Sequence, residues 1–338
     1  MADRPTIATI KQAAQRLRDV VIHTPLVPLH SFDTQTDILL KLETLQVVTS
    51  FKIRGIFNAV AVLSPEERAN GLSTVSAGNT AQALAWAGRY FNVPARSLMP
   101  DTAPATKIEA VRKYGGEPIL VPTAEVFRFL KEHAWEREPY AFIHPWTNRN
   151  VMAGHGTIGL EIFDDLPEVD TVYVPVGGGG LIGGVAGALK ALKPSVRVVA
   201  VEPEGCAALH ESMRIGRAAG IDCHTMCDGV AVPYMTEEVF SIIRDLIDEV
   251  VLVSEATVKA TIRRLALQNR LIVEGSAALP VAAALATPRA RRGVTVCVVT
   301  GGSIDTDKLL AILGDDKNAE CGMRSAEYGL QDPGPSPE

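Results

Sequence analysis

Lys52 stands in the run Thr49-Ser50-Phe51-Lys52-Ile53-Arg54-Gly55, behind an aromatic residue and ahead of an arginine and a glycine. Apolar neighbours make an ammonium costly to keep charged, so its pKa falls. A neutral amine is the nucleophile that Schiff-base chemistry requires. A second candidate is Gly177-Gly178-Gly179-Gly180, which follows the apolar run Thr171-Val172-Tyr173-Val174-Pro175-Val176. Glycines let a backbone curl closely around a phosphate, and a helix start supplies free N–H groups and a positive dipole end. Two further turns carry polar side chains after strand-like runs: Ser76-Ala77-Gly78-Asn79-Thr80 and Thr300-Gly301-Gly302-Ser303.

The glycine run has a rival reading. Gly178, Gly180 and Gly183 fit the dinucleotide pattern, and Glu202 lies at the end of the next strand, where a ribose-binding acid belongs. A nicotinamide dehydrogenase therefore stands as an alternative on spacing. It gives Lys52, the Asn79 turn and the Thr300 turn nothing to do.

These residues need elements to hold them. Helical spacing runs through 7–21, and Thr24-Pro25-Leu26 breaks it into an extended segment. Strands are expected at 38–43, 73–76, 96–100, 118–121, 171–176, 197–202 and 294–300. Helices are expected at 57–63, 81–91, 106–114, from 121 through Trp135, and at 157–163, 181–192 and 255–268. Ser64-Pro65-Glu66-Glu67 reads as a capped helix start. Strands alternating with helices at short intervals indicate α/β architecture with parallel sheets. A tail from 315 to 338, ending in Asp332-Pro333-Gly334-Pro335-Ser336-Pro337, is expected to be disordered.

With 338 residues, 47% hydrophobic and 21% charged, the chain can bury a large core. A net charge of -6 argues against nucleic acid as a partner, and no apolar run is long enough for a membrane. The N-terminus lacks the apolar core of a secretory signal. The five cysteines (206, 223, 227, 297 and 321) are odd in number and irregularly spaced. Both observations lead to an expectation of free thiols in the cytoplasm.

Taken together the motifs resemble the fold-type II enzymes that use pyridoxal 5'-phosphate, above all the serine/threonine dehydratases, which include serine racemase. Lys41-Leu42-Glu43 leading to Ser50-Phe51-Lys52-Ile53-Arg54-Gly55 resembles the family's lysine motif. Ser76-Ala77-Gly78-Asn79 resembles its substrate loop, and Pro175 to Ile182 its phosphate loop. Asp228-Gly229-Val230-Ala231-Val232, Glu274-Gly275 and Thr300-Gly301-Gly302 follow in the family's order. The resemblance covers roughly residues 10 to 312.

It implies a two-domain, tryptophan synthase β-like fold with mostly parallel sheets flanked by helices. Residues 1–52 with 147–314 would form a large cofactor-binding domain, and 53–146 a small substrate-binding domain. Lys52 would form the Schiff base and Phe51 would pack on the cofactor. Asn79 would hydrogen-bond its phenolic oxygen, Gly177, Gly178, Gly179, Gly180 and Leu181 would hold its phosphate, and Thr300 would face its pyridine nitrogen. Ser76, Ala77, Gly78, Asn79 and Thr80 would hold the substrate carboxylate. The implied activity is deamination of a β-hydroxy amino acid, L-threonine or L-serine by default, to a keto acid and ammonia, by a homodimer.

The chain also departs from the family pattern. Thr80 replaces a frequent histidine, as in synthases that perform β-replacement, which stands as the main alternative; a catalytically silent binding module is another. Ala77 lacks the hydroxyl that racemases use on the second face. Ala208 replaces an acid that, with Glu202, would bind a divalent metal, so no metal is expected. Cys223, His224 and Cys227 fall short of a zinc set, and His155, between two glycines, reads as a packing or capping residue, with a place near the cofactor pocket as the alternative. The resemblance ends near residue 312, so no C-terminal effector domain is expected.

Overall fold

A computed structural model describes residues 4–30 and 37–315. The expected tail lies outside the described residues, apart from Asp315.

Among the described residues, ten strands form two sheets: β1 (Leu26–Pro28), β2 (Ile38–Leu42), β3 (Leu72–Val75), β4 (Ala95–Pro100), β5 (Glu117–Val121), β6 (Ala141–Phe142), β7 (Thr171–Pro175), β8 (Arg197–Pro203), β9 (Glu249–Val253) and β10 (Thr295–Val299). The larger sheet has the order β1-β2-β10-β7-β8-β9, and the smaller one β5-β4-β3-β6. Every pairing is parallel except β1 with β2. The strands β7 and β10 are buried along their whole length, as expected of a sheet covered by helices on both faces.

Strand order fixes where a ligand can go. From β7 the chain moves to β8 and β9 on one side, and β10 returns to the other side. From β3 it moves to β4 and β5, and β6 returns to the other side. Each sheet thus has a switch point, and open α/β sheets bind ligands in the crevice beyond the strand C-termini at such points. The glycine run follows β7, Thr300 follows β10, and Ser76–Asn79 follow β3.

One helix, Arg149–Asp165, braces the site from behind. It starts at Asn148, whose side chain accepts from the amides of Asn150 and Val151. Its glycines admit two neighbours at near-backbone contact. A Cβ on Gly154 would lie 2.3 Å from the Arg54 carbonyl, and one on Gly159 would lie 2.7 Å from the Val185 carbonyl. The helices Lys52–Val62 and Gly180–Leu192 therefore pack directly on it, and both begin at the cleft. Sequence periodicity starts this helix at Thr157, eight residues late; Gly154 and Gly156 in the missed part are packing contacts and add nothing to an apolar stripe.

Other differences have similar causes. Gly275–Ala286 is a helix buried on nearly every side, with Pro280 inside it, so it shows no amphipathic stripe. The helices Ala208–Ile215 and Glu237–Ile243 and the strand β9 are likewise absent from the elements expected above. The Ser64 start forms a full capping box with Glu67, as its sequence predicts.

The free-thiol expectation fails for two cysteines. Cys206 and Cys223 form a disulfide, with Cα atoms 4.4 Å apart. The His224 amide donates to the Gly205 carbonyl at 2.7 Å, and this backbone clasp brings the two cysteines together across 17 residues. Cys227 and Cys297 are buried and unpaired. Cys321 lies outside the described residues. No helix among the described residues is long and apolar enough to cross a membrane.

Candidate active site

A cavity of about 440 Å³ lies between the two sheets' switch points. The residues that the resemblance assigns to cofactor and substrate line it: Phe51 and Lys52; Ser76, Ala77, Gly78, Asn79 and Thr80; Gly177, Gly178, Gly179, Gly180 and Leu181; and Thr300.

Lys52 is the first residue of its helix. The segment before it is clasped to the Thr300 turn: the Phe51 amide donates to the Thr300 carbonyl and the Gly302 amide to that of Thr49, each at 3.0 Å. Thr49 adopts φ 53°, a left-handed conformation unusual for a β-branched residue, to make this turn. Behind the site, Arg54 is fully buried and forks onto Glu43 (2.7 and 2.8 Å) and Glu161 (2.6 and 2.9 Å). Burial alone would raise the Glu43 pKa, but the Arg54 guanidinium beside it brings it below the ordinary value. The bidentate pair fixes the helix two residues from the reactive amine.

Burial lowers the Lys52 pKa to about 8, against a smaller upward pull from Glu274. The ammonium sits 4.8 Å from the Phe51 ring centroid. Below Phe51 lies His155, with ring centroids 4.7 Å apart. It is 1% exposed, and both its ring nitrogens lack a partner. Burial, followed by the charges of Lys52 and Arg54, holds it well below the ordinary histidine pKa. A neutral imidazole packed under Phe51 matches the packing role expected of it.

The glycine run owes its composition partly to its neighbours. A Cβ on Gly178 would meet the Trp146 ring at 2.4 Å, one on Gly177 would meet Val230 backbone at 2.9 Å, and Gly179 has φ 85°. The backbone is thereby exposed to the cavity at the start of a 13-residue helix, whose first amides have no partner within the helix.

Several buried polar atoms have no partner among the described residues: Thr300 Oγ1, Asn79 Oδ1, Ser276 Oγ and Trp146 Nε1, all on residues lining this cavity. Orphaned buried groups on a cavity wall indicate a polar ligand. Asn79 Nδ2 donates to both Glu274 oxygens at 3.0 Å. Burial, then the Asp228 charge, raises the Glu274 pKa. Sequence reading places Glu274 and Asp228 in order without a role, and gives no signal at all for Trp146 or Lys107, which join the wall from distant segments.

Other sequence candidates sit elsewhere. Glu202 is 1% exposed and accepts from the Leu209 and His210 amides at 2.9 and 2.8 Å. Burial raises its pKa to about 7. It caps a helix, and it neither lines the cavity nor offers a free oxygen to a ribose. Cys223 is tied up in the disulfide, and burial pushes the Cys227 thiol up to about 12, so neither offers a thiolate.

An amine of lowered pKa, a phosphate-sized cradle at one strand end and a lone hydroxyl at the next fit pyridoxal phosphate group by group. Two sheets whose switch points face each other across that amine make this an α/β enzyme of fold type II. The chain belongs to the pyridoxal-phosphate dependent enzyme family, which matches residues 17–301. It is 40% identical over 314 residues to an L-threonine ammonia-lyase of Thermotoga maritima, covering 91% of this chain and 78% of that one. Among solved structures it is similar to a T.th. threonine deaminase (TM-score 0.82, 34% identity, 89% and 99% coverage). It is also similar to maize serine racemase (TM-score 0.85, 30% identity, 96% and 100% coverage).

Proposed function

We propose that this protein is a lyase that converts L-threonine, or L-serine, to a 2-keto acid and ammonia. The observation that carries the reading is the Lys52 amine, with a pKa of about 8, facing the glycine cradle and Thr300 across one cavity. The relatives named as threonine ammonia-lyase and threonine deaminase support the choice of substrate.

Bound pyridoxal phosphate supplies the electron sink for a carbanion at the substrate Cα. Lys52 would hold it as a Schiff base, Gly177–Leu181 its phosphate, Asn79 its phenolic oxygen and Thr300 its ring nitrogen. The Asn79 amide has two hydrogens, so it can serve Glu274 and a ligand oxygen together. With the cofactor bound, the Lys52 Nζ, neutral when free, would take the Cα proton as general base. The β-hydroxyl would leave as water with the proton that Lys52 took from Cα, and the enamine would hydrolyse to keto acid and ammonia. Thr300 offers a hydroxyl where a carboxylate would keep the ring nitrogen protonated, which favours rapid elimination over prolonged carbanion exchange. Ala77 has no hydroxyl for a second face, which disfavours racemisation.

The two sheets are read as two domains, 1–52 with 147–314 and 53–146, in a cytoplasmic homodimer. Sedimentation tests the dimer. The Cys206–Cys223 bond is unusual for a reducing compartment, and thiol titration of freshly isolated protein tests that placement.

The decisive experiment adds L-threonine to the protein supplied with pyridoxal phosphate. Keto acid and ammonia without any added nucleophile are expected. Product only in the presence of a thiol or other nucleophile would instead identify β-replacement, the reading that Thr80 favours. A protein that gains no visible absorption with the cofactor, or a Lys52→Ala variant with an unaltered spectrum, refutes both.

A further inference from the structure

Three lysines line the cavity: Lys52, Lys308 and Lys107. Lys52 is committed to the cofactor, and Lys308 is exposed. Lys107 is 8% exposed, and nothing in the reading above uses it. It lies in the helix Ala105–Lys113, which follows β4, and reaches over the turn after β3. A Cβ placed on Gly78 would lie 3.6 Å from its Nζ and 3.7 Å from its Cδ. Gly78 is the N-cap of the helix Asn79–Phe91, and no side chain caps that helix start. A buried cation therefore sits beside an uncapped set of helix amides in the substrate loop.

The partner of this cation comes from the other sheet. Lys107 Nζ forms an ion pair with Asp228 Oδ2, on the turn that also carries Gly229 and Val230. The Lys107 side chain is 10% exposed and that of Asp228 is 41% exposed. Such asymmetry suits an exchange. Asp228 can return to water at little cost, whereas Lys107 cannot, so its charge must be met by another anion if Asp228 leaves. An amino-acid substrate brings one carboxylate, and replacing a carboxylate by a carboxylate leaves the local charge unchanged.

We propose that Lys107 binds the α-carboxylate of the substrate together with the amides at the start of the Asn79 helix, and that Asp228 occupies its ammonium until substrate arrives. This assignment rests on the amino-acid lyase reading and adds the residue that selects the carboxylate. Asp228 is then a competitor of the substrate, and its removal strengthens binding.

The test compares Lys107→Met, Lys107→Arg and Asp228→Asn holoenzymes with wild type. Hydrogen bonds to charged groups predict a KM for L-threonine raised on the order of 10- to 100-fold in Lys107→Met, with much the smaller change in kcat. Lys107→Arg keeps the charge and restores most of the affinity, and Asp228→Asn lowers KM. Equilibrium titration with L-alanine, which has no β-hydroxyl to lose, is followed by absorbance and reports the same order of Kd values. For L-threonine methyl ester, Lys107→Met differs little from wild type.

An unchanged KM in Lys107→Met overturns the proposal. So does an equal loss in Lys107→Met and Asp228→Asn, which is the result for a strut between the sheets. If Lys107→Met is recovered only as aggregate, Asp228→Asn decides alone: tighter L-alanine binding supports the exchange and weaker binding overturns it. Wild-type protein that releases no keto acid from L-threonine refutes the lyase reading itself, and that result is separate from these.

Discussion

Replacing Lys52 with methionine should abolish catalysis and yet stabilise the cofactor-free protein. The folded state holds an amine whose pKa falls from 10.5 to about 8, chiefly through burial. At about 1.4 kcal/mol per pH unit, the charged lysine costs the fold about 3 kcal/mol below pH 8. Two effects reduce what the substitution recovers. The ammonium faces a cavity that water can enter, and its loss leaves Glu274 without one of the charges that favour its ionised form. A net gain of about 1–3 kcal/mol is expected at pH 7, since methionine fills a similar volume. The dependence on pH has a definite sign. Between pH 8 and 10.5 the unfolded chain binds a proton at this lysine that the folded chain does not, so wild-type stability rises with pH across that window. The advantage of Lys52→Met should therefore be constant below pH 8 and close as pH approaches 10.5. Urea unfolding of both cofactor-free proteins at pH 7, 8.5 and 10 measures it. A methionine variant no more stable than wild type at pH 7, or a gap that does not narrow with pH, refutes the account of a desolvated amine.

The remaining expectations concern the walls of the site. Gly178→Ala puts a methyl group 2.4 Å from the Trp146 ring; a stability loss of about 1–3 kcal/mol and weaker pyridoxal phosphate binding should appear in denaturation and in absorbance titration. Thr300→Val removes a buried hydroxyl that has no protein partner; cofactor-free stability should change by no more than about 1 kcal/mol or rise slightly, while cofactor affinity and turnover fall. Arg54→Met strands Glu43, which is fully buried, and Glu161; a loss of about 3–5 kcal/mol in urea unfolding is expected, with the deficit smaller at acid pH, where the stranded carboxylates protonate.

Much of the site was legible because its parts are local. Phe51-Lys52, the Ser76–Thr80 turn, the four glycines and Thr300 each carry a type and spacing that chemistry demands, and each falls at the end of a strand or the start of a helix. Most strand positions were legible for the same reason, since buried parallel strands are short apolar runs between turn residues; β6 and β9 were not. Helices that owe their composition to neighbours were not. Gly154 and Gly156 add no apolar side chain to the start of their helix, and the apolar 275–286 helix had no stripe to find.

The residues themselves determined which groups could do chemistry, and in what order along the chain, because an amine, a glycine cradle and a hydroxyl are recognisable without their surroundings. Only the tertiary structure decided what those groups face. It brought Glu274 to Asn79 across 195 residues, Lys107 to Asp228 across 121 and Trp146 against Gly178. It also paired Cys206 with Cys223 and turned Glu202 into a helix cap. Charge, pKa and affinity depend on distances of a few ångströms between segments that no sequence spacing relates, since the strength of an electrostatic contact is set by separation and burial in space.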